Sequence, residues 1–160
     1  MEQILKKYLD VHGISYKSHP HKAVFTVEES KFIKKEIPGL HTKSLFLKDD
    51  KGHFYLVCMF AESRLDMKSL RQELKLQKLH FASPEELNEN LKVTPGSVSI
   101  FCAIHAKKSK VSLILDKAIW EAEISCFHPN INTSTLEITK ENLKKFLDSL
   151  SLEKKILDLK

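Results

Sequence analysis

Pro38-Gly39-Leu40-His41-Thr42-Lys43-Ser44-Leu45-Phe46-Leu47-Lys48-Asp49-Asp50-Lys51-Gly52-His53-Phe54-Tyr55-Leu56-Val57 reads as a β-hairpin. Between Lys43 and Lys48, Leu45 and Leu47 alternate with polar and aromatic neighbours. Asp49-Asp50-Lys51-Gly52 supplies turn chemistry, and a β-rich run from His53 to Met59 returns. This sets Lys43 at the entry to a buried strand. An ammonium beside core strands loses hydration and needs an anionic or carbonyl partner. A solvated lysine at a strand end also accounts for the position, since lysine is mostly exposed.

Outward from the hairpin, the chain of 160 residues, 42% of them hydrophobic, is long enough for one well-covered core and reads as a single domain over residues 1–160. Its 26 basic and 21 acidic residues leave a formal charge of +5, which favours association with a polyanion without specifying one. Cys58, Cys102 and Cys126 are odd in number and show no C-x-x-C spacing, so buried thiols in a reducing compartment are expected. The N-terminus has no signal-peptide core and no apolar run reaches membrane-spanning length, which gives an expectation of a cytoplasmic protein without a membrane partner.

Ile4, Leu5, Tyr8, Leu9 and Val11 follow helical spacing up to Gly13, and Ile14 to Ser18 reads as a short strand. Thr26-Val27-Glu28-Glu29 is a capping box opening a helix that ends before Pro38. After the hairpin, Asp66 caps a helix to Leu74, Leu79-His80-Phe81 is a strand, and Ser83-Pro84-Glu85-Glu86 opens a helix through Leu91. Val111–Leu115, Ile124–Phe127 and 133–138 are strands, with a helical turn at 117–121 carrying Trp120, which reads as core. Thr139 caps a helix to Leu150, and the tail from Ser151 reads as one more amphipathic helix.

The resulting fold class is mixed α/β (α+β): a mostly antiparallel sheet of six or seven strands surrounded by helices. No G-x-G-x-x-G or G-x-x-x-x-G-K-[ST] occurs. His19 and His21 would share a strand face that His41 and His128 could join, yet no H-E-x-x-H or cysteine-pair framework accompanies them, so neither metal nor cofactor is expected. A Cys-His pair involving His128 is possible, with nothing local to mark an activated thiol.

Three separated stretches carry a resemblance: His19-Pro20-His21-Lys22-Ala23-Val24-Phe25-Thr26-Val27-Glu28-Glu29, the hairpin around Lys43-Ser44, and Phe127-His128-Pro129-Asn130-Ile131-Asn132-Thr133. In order and spacing, from about residue 5 to 150, the chain resembles the prolyl-tRNA editing (YbaK/ProX-like) family, and within it the free-standing alanyl-prolyl-tRNA deacylases. That resemblance implies an aminoacyl-tRNA hydrolase acting through a positioned water, with help from the substrate's ribose hydroxyl and no metal.

By the same resemblance Lys43 is the catalytic residue. Ser44, Gly96, Ser97, His128, Pro129 and Thr26 border the substrate, although Thr26 is fully explained as a helix cap. The family's G-x-x-x-P loop has Gly96 here but Ile100 in place of proline, and its Asn-Asp pair is replaced by His105-Ala106; both lie near where the amino acid would be sized. Lys34, Lys35, Lys48, Lys51, Arg64, Lys107, Lys108 and Lys110 are candidates for phosphate contacts. The implied partners are the acceptor end of proline tRNA and prolyl-tRNA synthetase, with no DNA, and the implied state is a monomer. Alanine is the amino acid the resemblance points to; serine, threonine and cysteine stay open, as does a non-catalytic tRNA- or synthetase-binding module of the same fold.

Overall fold

The computed structural model describes residues 2–23 and 27–159. The capping role expected of Thr26 lies outside them. Helices α1 (Gln3–Val11) and α2 (Val27–Glu36) flank strand β1 (Lys17–Pro20), which starts three residues later than its sequence suggests. The hairpin follows as β2 (Leu40–Asp49) and β3 (Phe54–Phe60), paired antiparallel from Thr42↔Phe60 to Lys48↔Phe54. Its turn is organised by Asp49, whose carboxylate accepts from the backbone N–H of Lys51 and of His53, each at 2.9 Å, and from the Tyr55 hydroxyl at 3.0 Å.

Next come α3 (Met67–Glu73), β4 (Leu79–Phe81) and α4 (Pro84–Leu91). Both expected caps are present: Asp66 accepts from Ser69 N–H, and Ser83 with Glu86 forms a reciprocal capping box. A 3-10 turn (Ile100–His105) leads into β5 (Val111–Asp116), α5 (Lys117–Glu121), β6 (Ile124–Phe127), β7 (Ser134–Thr139) and α6 (Lys140–Ser149).

The tail forms a strand, β8 (Glu153–Leu157), where a helix was expected. It pairs in parallel with β5 from Ser112↔Glu153 to Asp116↔Leu157. Without it, β5 would present a row of unpaired backbone groups on a strand that is buried along its whole length. The demand of that edge outweighs the helical spacing of the tail.

Among the described residues the sheet has eight strands, one more than the upper expectation, in the order β1-β7-β6-β2-β3-β5-β8 with β4 also on β2. Its pairings are mixed: β1–β7, β2–β3, β2–β4 and β6–β7 are antiparallel, whereas β2–β6, β3–β5 and β5–β8 are parallel. Apolar side chains cover both faces, which is why β3 reads as a nearly unbroken apolar run. On one face Phe46, Leu56 and Cys58 pack with Leu5 and Leu9 of α1, Phe101 and Phe146, with Trp120 half-buried against them. On the other, Leu47, Val57 and Met59 pack with Leu70 and Leu159.

Strand β2 is the hub that positions the site. Leu40 and His41 pair with β6, and residues 47–49 pair with β4, both on the edge opposite β3. Between these contacts the sheet forks, and Thr42 and Lys43 sit at the fork. No helix among the described residues is long and apolar enough to cross a membrane.

Candidate active site

Strand alternation decides what Lys43 and Ser44 can do. Lys43 shares a face with Leu45 and Leu47. Its half-buried ammonium finds the carbonyl partner that its position demands, donating to the Ser63 backbone oxygen just beyond β3. Ser44 points the other way: it lies across from Cys58 in the register and donates to its Sγ at 3.3 Å. The two neighbours therefore serve opposite faces of one strand.

Around Lys43 lies a cavity of ≈ 240 Å³ lined by His21, Ile33, Lys34, His41, Thr42, Lys43, Ala61, Gly96, His128, Asn132 and Thr135. Six segments converge there: the end of β1, helix α2, strand β2, the exit of β3, the Gly96 loop and the β6–β7 connection. The volume falls below the roughly 300–1,000 Å³ of sites that enclose a drug-sized ligand, so it suits a small terminal group. A second cavity of ≈ 280 Å³, between α3 and the chain end, brings together Leu65, Asp66, Ser69, Leu70, Glu73, Leu157, Asp158 and Leu159. It contributes no cation, and the Asp66 carboxylate is occupied as the cap of α3.

Of the residues expected in the site, Lys43, Gly96 and His128 meet in the Lys43 cavity. Ser44, Ser97 and Pro129 do not line it. Ser97 is tied by its backbone N–H to Thr94 O at 3.2 Å, one residue from Gly96, whose φ of +92° favours a residue without a side chain. Ile100 is fully buried in the first core face, and His105 contacts Glu2 at 2.9 Å. Neither lines the pocket.

Two of the three histidines of the cavity have backbone carbonyl partners. His21 Nδ1 donates to Lys22 O at 2.8 Å, and its Nε2 lies 2.9 Å from the Thr135 hydroxyl. His41 Nε2 likewise donates to Ile37 O at 2.8 Å. His128 titrates below the ordinary histidine value because burial penalises its charged form; a hydrogen bond to the Ser134 backbone opposes the shift, and nearby His21 and His41 add to it. Its Nδ1 is buried without a partner among the described residues. His19, expected beside His21, turns instead to Glu137 at 3.1 Å.

The loop carrying His128 is pinned by Asn130, which is buried and left-handed at φ +63°. The thiols offer no nucleophile, since burial pushes Cys58, Cys102 and Cys126 each up to about 12. No group of three or more His, Cys, Asp or Glu among the described residues is arranged to hold a metal ion. Lys48, a candidate for phosphate, is engaged by Glu86 at 2.6 Å.

The site is thus a small cationic pocket edged by imidazoles, built on the motifs of the three resembling stretches. The aminoacyl-tRNA editing domain matches residues 21–146. The chain belongs to that family. Its chemistry is accordingly the hydrolysis of an aminoacyl-tRNA ester, with tRNA as substrate. The prolyl-tRNA editing protein ProX of Acetoanaerobium sticklandii is 34% identical over 140 residues, covering 87% of this chain and 85% of that protein. The prolyl-tRNA synthetase associated domain-containing protein 1 of Danio rerio is 32% identical over 147 residues, covering 90% and 79%. A solved structure of a candidate trans-editing enzyme for prolyl tRNA synthetase superposes with a TM-score of 0.76 at 19% identity, covering 100% of this chain and 98% of that one, and corroborates the fold.

For this editing domain, Ile33, Thr42, Ala61, Asn132 and Thr135 are pocket residues that sequence reasoning passed over, and Lys34, expected as a phosphate contact, lines the pocket too. His41 had a usable signal, lying two residues before Lys43 on the same strand. Thr135 had none, because only the return of β7 beside β1 brings it in; Asn132 lies within the resembling stretch 127–133, where nothing singled it out.

Proposed function

We propose that this chain is a trans-editing deacylase, acting as a single domain, that hydrolyses the ester of mischarged proline tRNA and removes alanine. The names of its relatives support the tRNA; the small pocket supports a small amino acid. The observation that carries the reading is the Lys43 ammonium, held by the Ser63 carbonyl within a ≈ 240 Å³ cavity.

Water attacks the ester carbonyl, and negative charge grows on the carbonyl oxygen. A cation already held in place stabilises that charge without reorganising. Lys43 supplies it, and the remaining hydrogens of its ammonium orient the substrate's terminal ribose or phosphate. Gly96 lets the loop backbone approach the substrate closely. His128, neutral at pH 7, offers a lone pair to the substrate's amino group or to the attacking water without adding positive charge. Ser44, Ser97 and Pro129 act by positioning, Ser44 from the far face of β2. Exclusion of proline is steric, and one methylene in such a pocket is worth about 1–3 kcal/mol.

The test is deacylation of proline tRNA charged separately with alanine, serine, cysteine and proline, by wild type and Lys43→Ala. Alanine should be released and proline spared, with Lys43→Ala slower by roughly 10²–10³-fold and unchanged in circular dichroism. Binding of tRNA without cleavage of any ester would refute the catalytic reading. Cleavage confined to another amino acid would refute alanine alone.

A further inference from the structure

Resting on that reading, we propose that the groove beside the reaction pocket is a nucleobase subsite in which Phe32 stacks on the terminal base of the tRNA acceptor strand. The groove has a volume of ≈ 280 Å³ and is lined by His21, Lys22, Glu29, Phe32 and Ile33. Glu29, Phe32 and Ile33 stand at i, i+3 and i+4 on α2 and therefore share one helix face.

Phe32 leaves 66% of its surface exposed, the most of any phenylalanine in the described core and surface. A lone exposed ring is ordinary on a protein surface, but this one lines a groove beside the reaction pocket. Two features select a nucleobase. The groove adjoins the reaction pocket, because His21 and Ile33 line both. A substrate whose ester sits near Lys43 carries its terminal base one ribose away, within reach of an adjoining groove. The surroundings are also cationic: exposed Lys22 lines the groove, and half-buried Lys34 lines the reaction pocket. An aromatic face flanked by lysines matches a base attached to a phosphodiester chain, since any base offers a π-face and the lysines meet its phosphate.

The probe is an uncharged acceptor-stem RNA hairpin carrying 2-aminopurine at its 3′ terminus, titrated with wild type, Phe32→Leu and Phe32→Trp. Stacking should quench the fluorophore in wild type and in Phe32→Trp. Phe32→Leu, which keeps an apolar side chain at an exposed site, should lose the quenching and bind about 5- to 150-fold more weakly, the range of one base–aromatic stack. In deacylation assays the same variant should raise KM and leave kcat near wild type.

Equal quenching by wild type and Phe32→Leu, or none by wild type on RNA that binds, would overturn the subsite. So would a Phe32→Leu variant that handles RNA normally but loses association with a synthetase, which would make the patch a protein-docking surface. Quenching by a wild type that cleaves no charged tRNA would instead refute the proposed function and leave the subsite standing.

Discussion

The Ser99 hydroxyl donates a 3.0 Å hydrogen bond to the side-chain oxygen of Asn130, tying the loop that follows Gly96 to the loop that follows His128. The same Asn130 oxygen meets the Cys102 thiol at 3.2 Å, while Ser99 Oγ accepts from Phe101 N–H at 3.0 Å. Two walls of the pocket thus share one buried amide, held at a left-handed φ that asparagine tolerates and alanine resists.

Asn130→Ala should cost about 2–4 kcal/mol, from backbone strain plus a buried hydroxyl left without its acceptor. Asn130→Gly removes the strain alone and should cost about 1–3 kcal/mol. Both should slow deacylation, because His128 and Gly96 lose their common anchor. Urea midpoints check the order; an alanine variant as stable as the glycine variant would show that the φ carries no penalty.

His128 predicts a pH effect whose sign follows from burial. Its folded titration lies below the ordinary value of 6.5, because burial opposes the charge. As pH falls below 6.5 the unfolded chain takes up the proton first, so stability is full above 6.5 and declines toward the folded value. His128→Gln removes this contribution. Melting temperatures at pH 7.5 and 5.5 should therefore drop further for wild type than for the variant; equal drops would mean that His128 does not resist protonation. Deacylation that relies on the neutral ring should weaken over the same acidic range.

The hairpin was legible because its signals are local: alternation, turn chemistry at Asp49 and Gly52, and a lysine conspicuous in an apolar strand. The capping box of Ser83 and Glu86 made α4 equally plain, and the Thr139 cap did the same for α6. Ser44 stands apart from the other expected site residues. Alternation alone puts it opposite Lys43, and only family resemblance had grouped the two in one site. The rest of the pocket depends on β7 returning to β1 and on the fork at β2, which no local pattern encodes. Leu152, Ile156 and Leu159 in the tail lie at helical spacing, and it is the free edge of β5 that makes the segment a strand.

Thiol chemistry supplies another check. With all three cysteines buried and each pushed up to about 12, thiolate is scarce at pH 8. A disulfide reagent should titrate the native protein slowly and all three thiols at once in denaturant, and alkylation of exposed groups should leave deacylation intact. Rapid native reaction with loss of activity would bring a cysteine nucleophile back into consideration.

The tail offers the sharpest test of the topology. Beyond pairing with β5, it caps α6, because Lys154 Nζ donates to Leu147 O at 2.8 Å and Leu150 O at 2.7 Å. It also buries Leu152 in one core face and Leu159 in the other. Each buried leucine is worth about 2–5 kcal/mol when cut to alanine, and domains have only about 5–15 kcal/mol in total. Deleting residues 152–160 should therefore leave a chain that aggregates through the bared β5 edge. Single substitutions separate strand from helix. In the strand Ile156 is 43% exposed, so Ile156→Ala should cost less than about 1 kcal/mol and Leu159→Ala about 2–4 kcal/mol. An amphipathic helix would bury Leu152, Ile156 and Leu159 on one stripe, and the two substitutions would then cost the same.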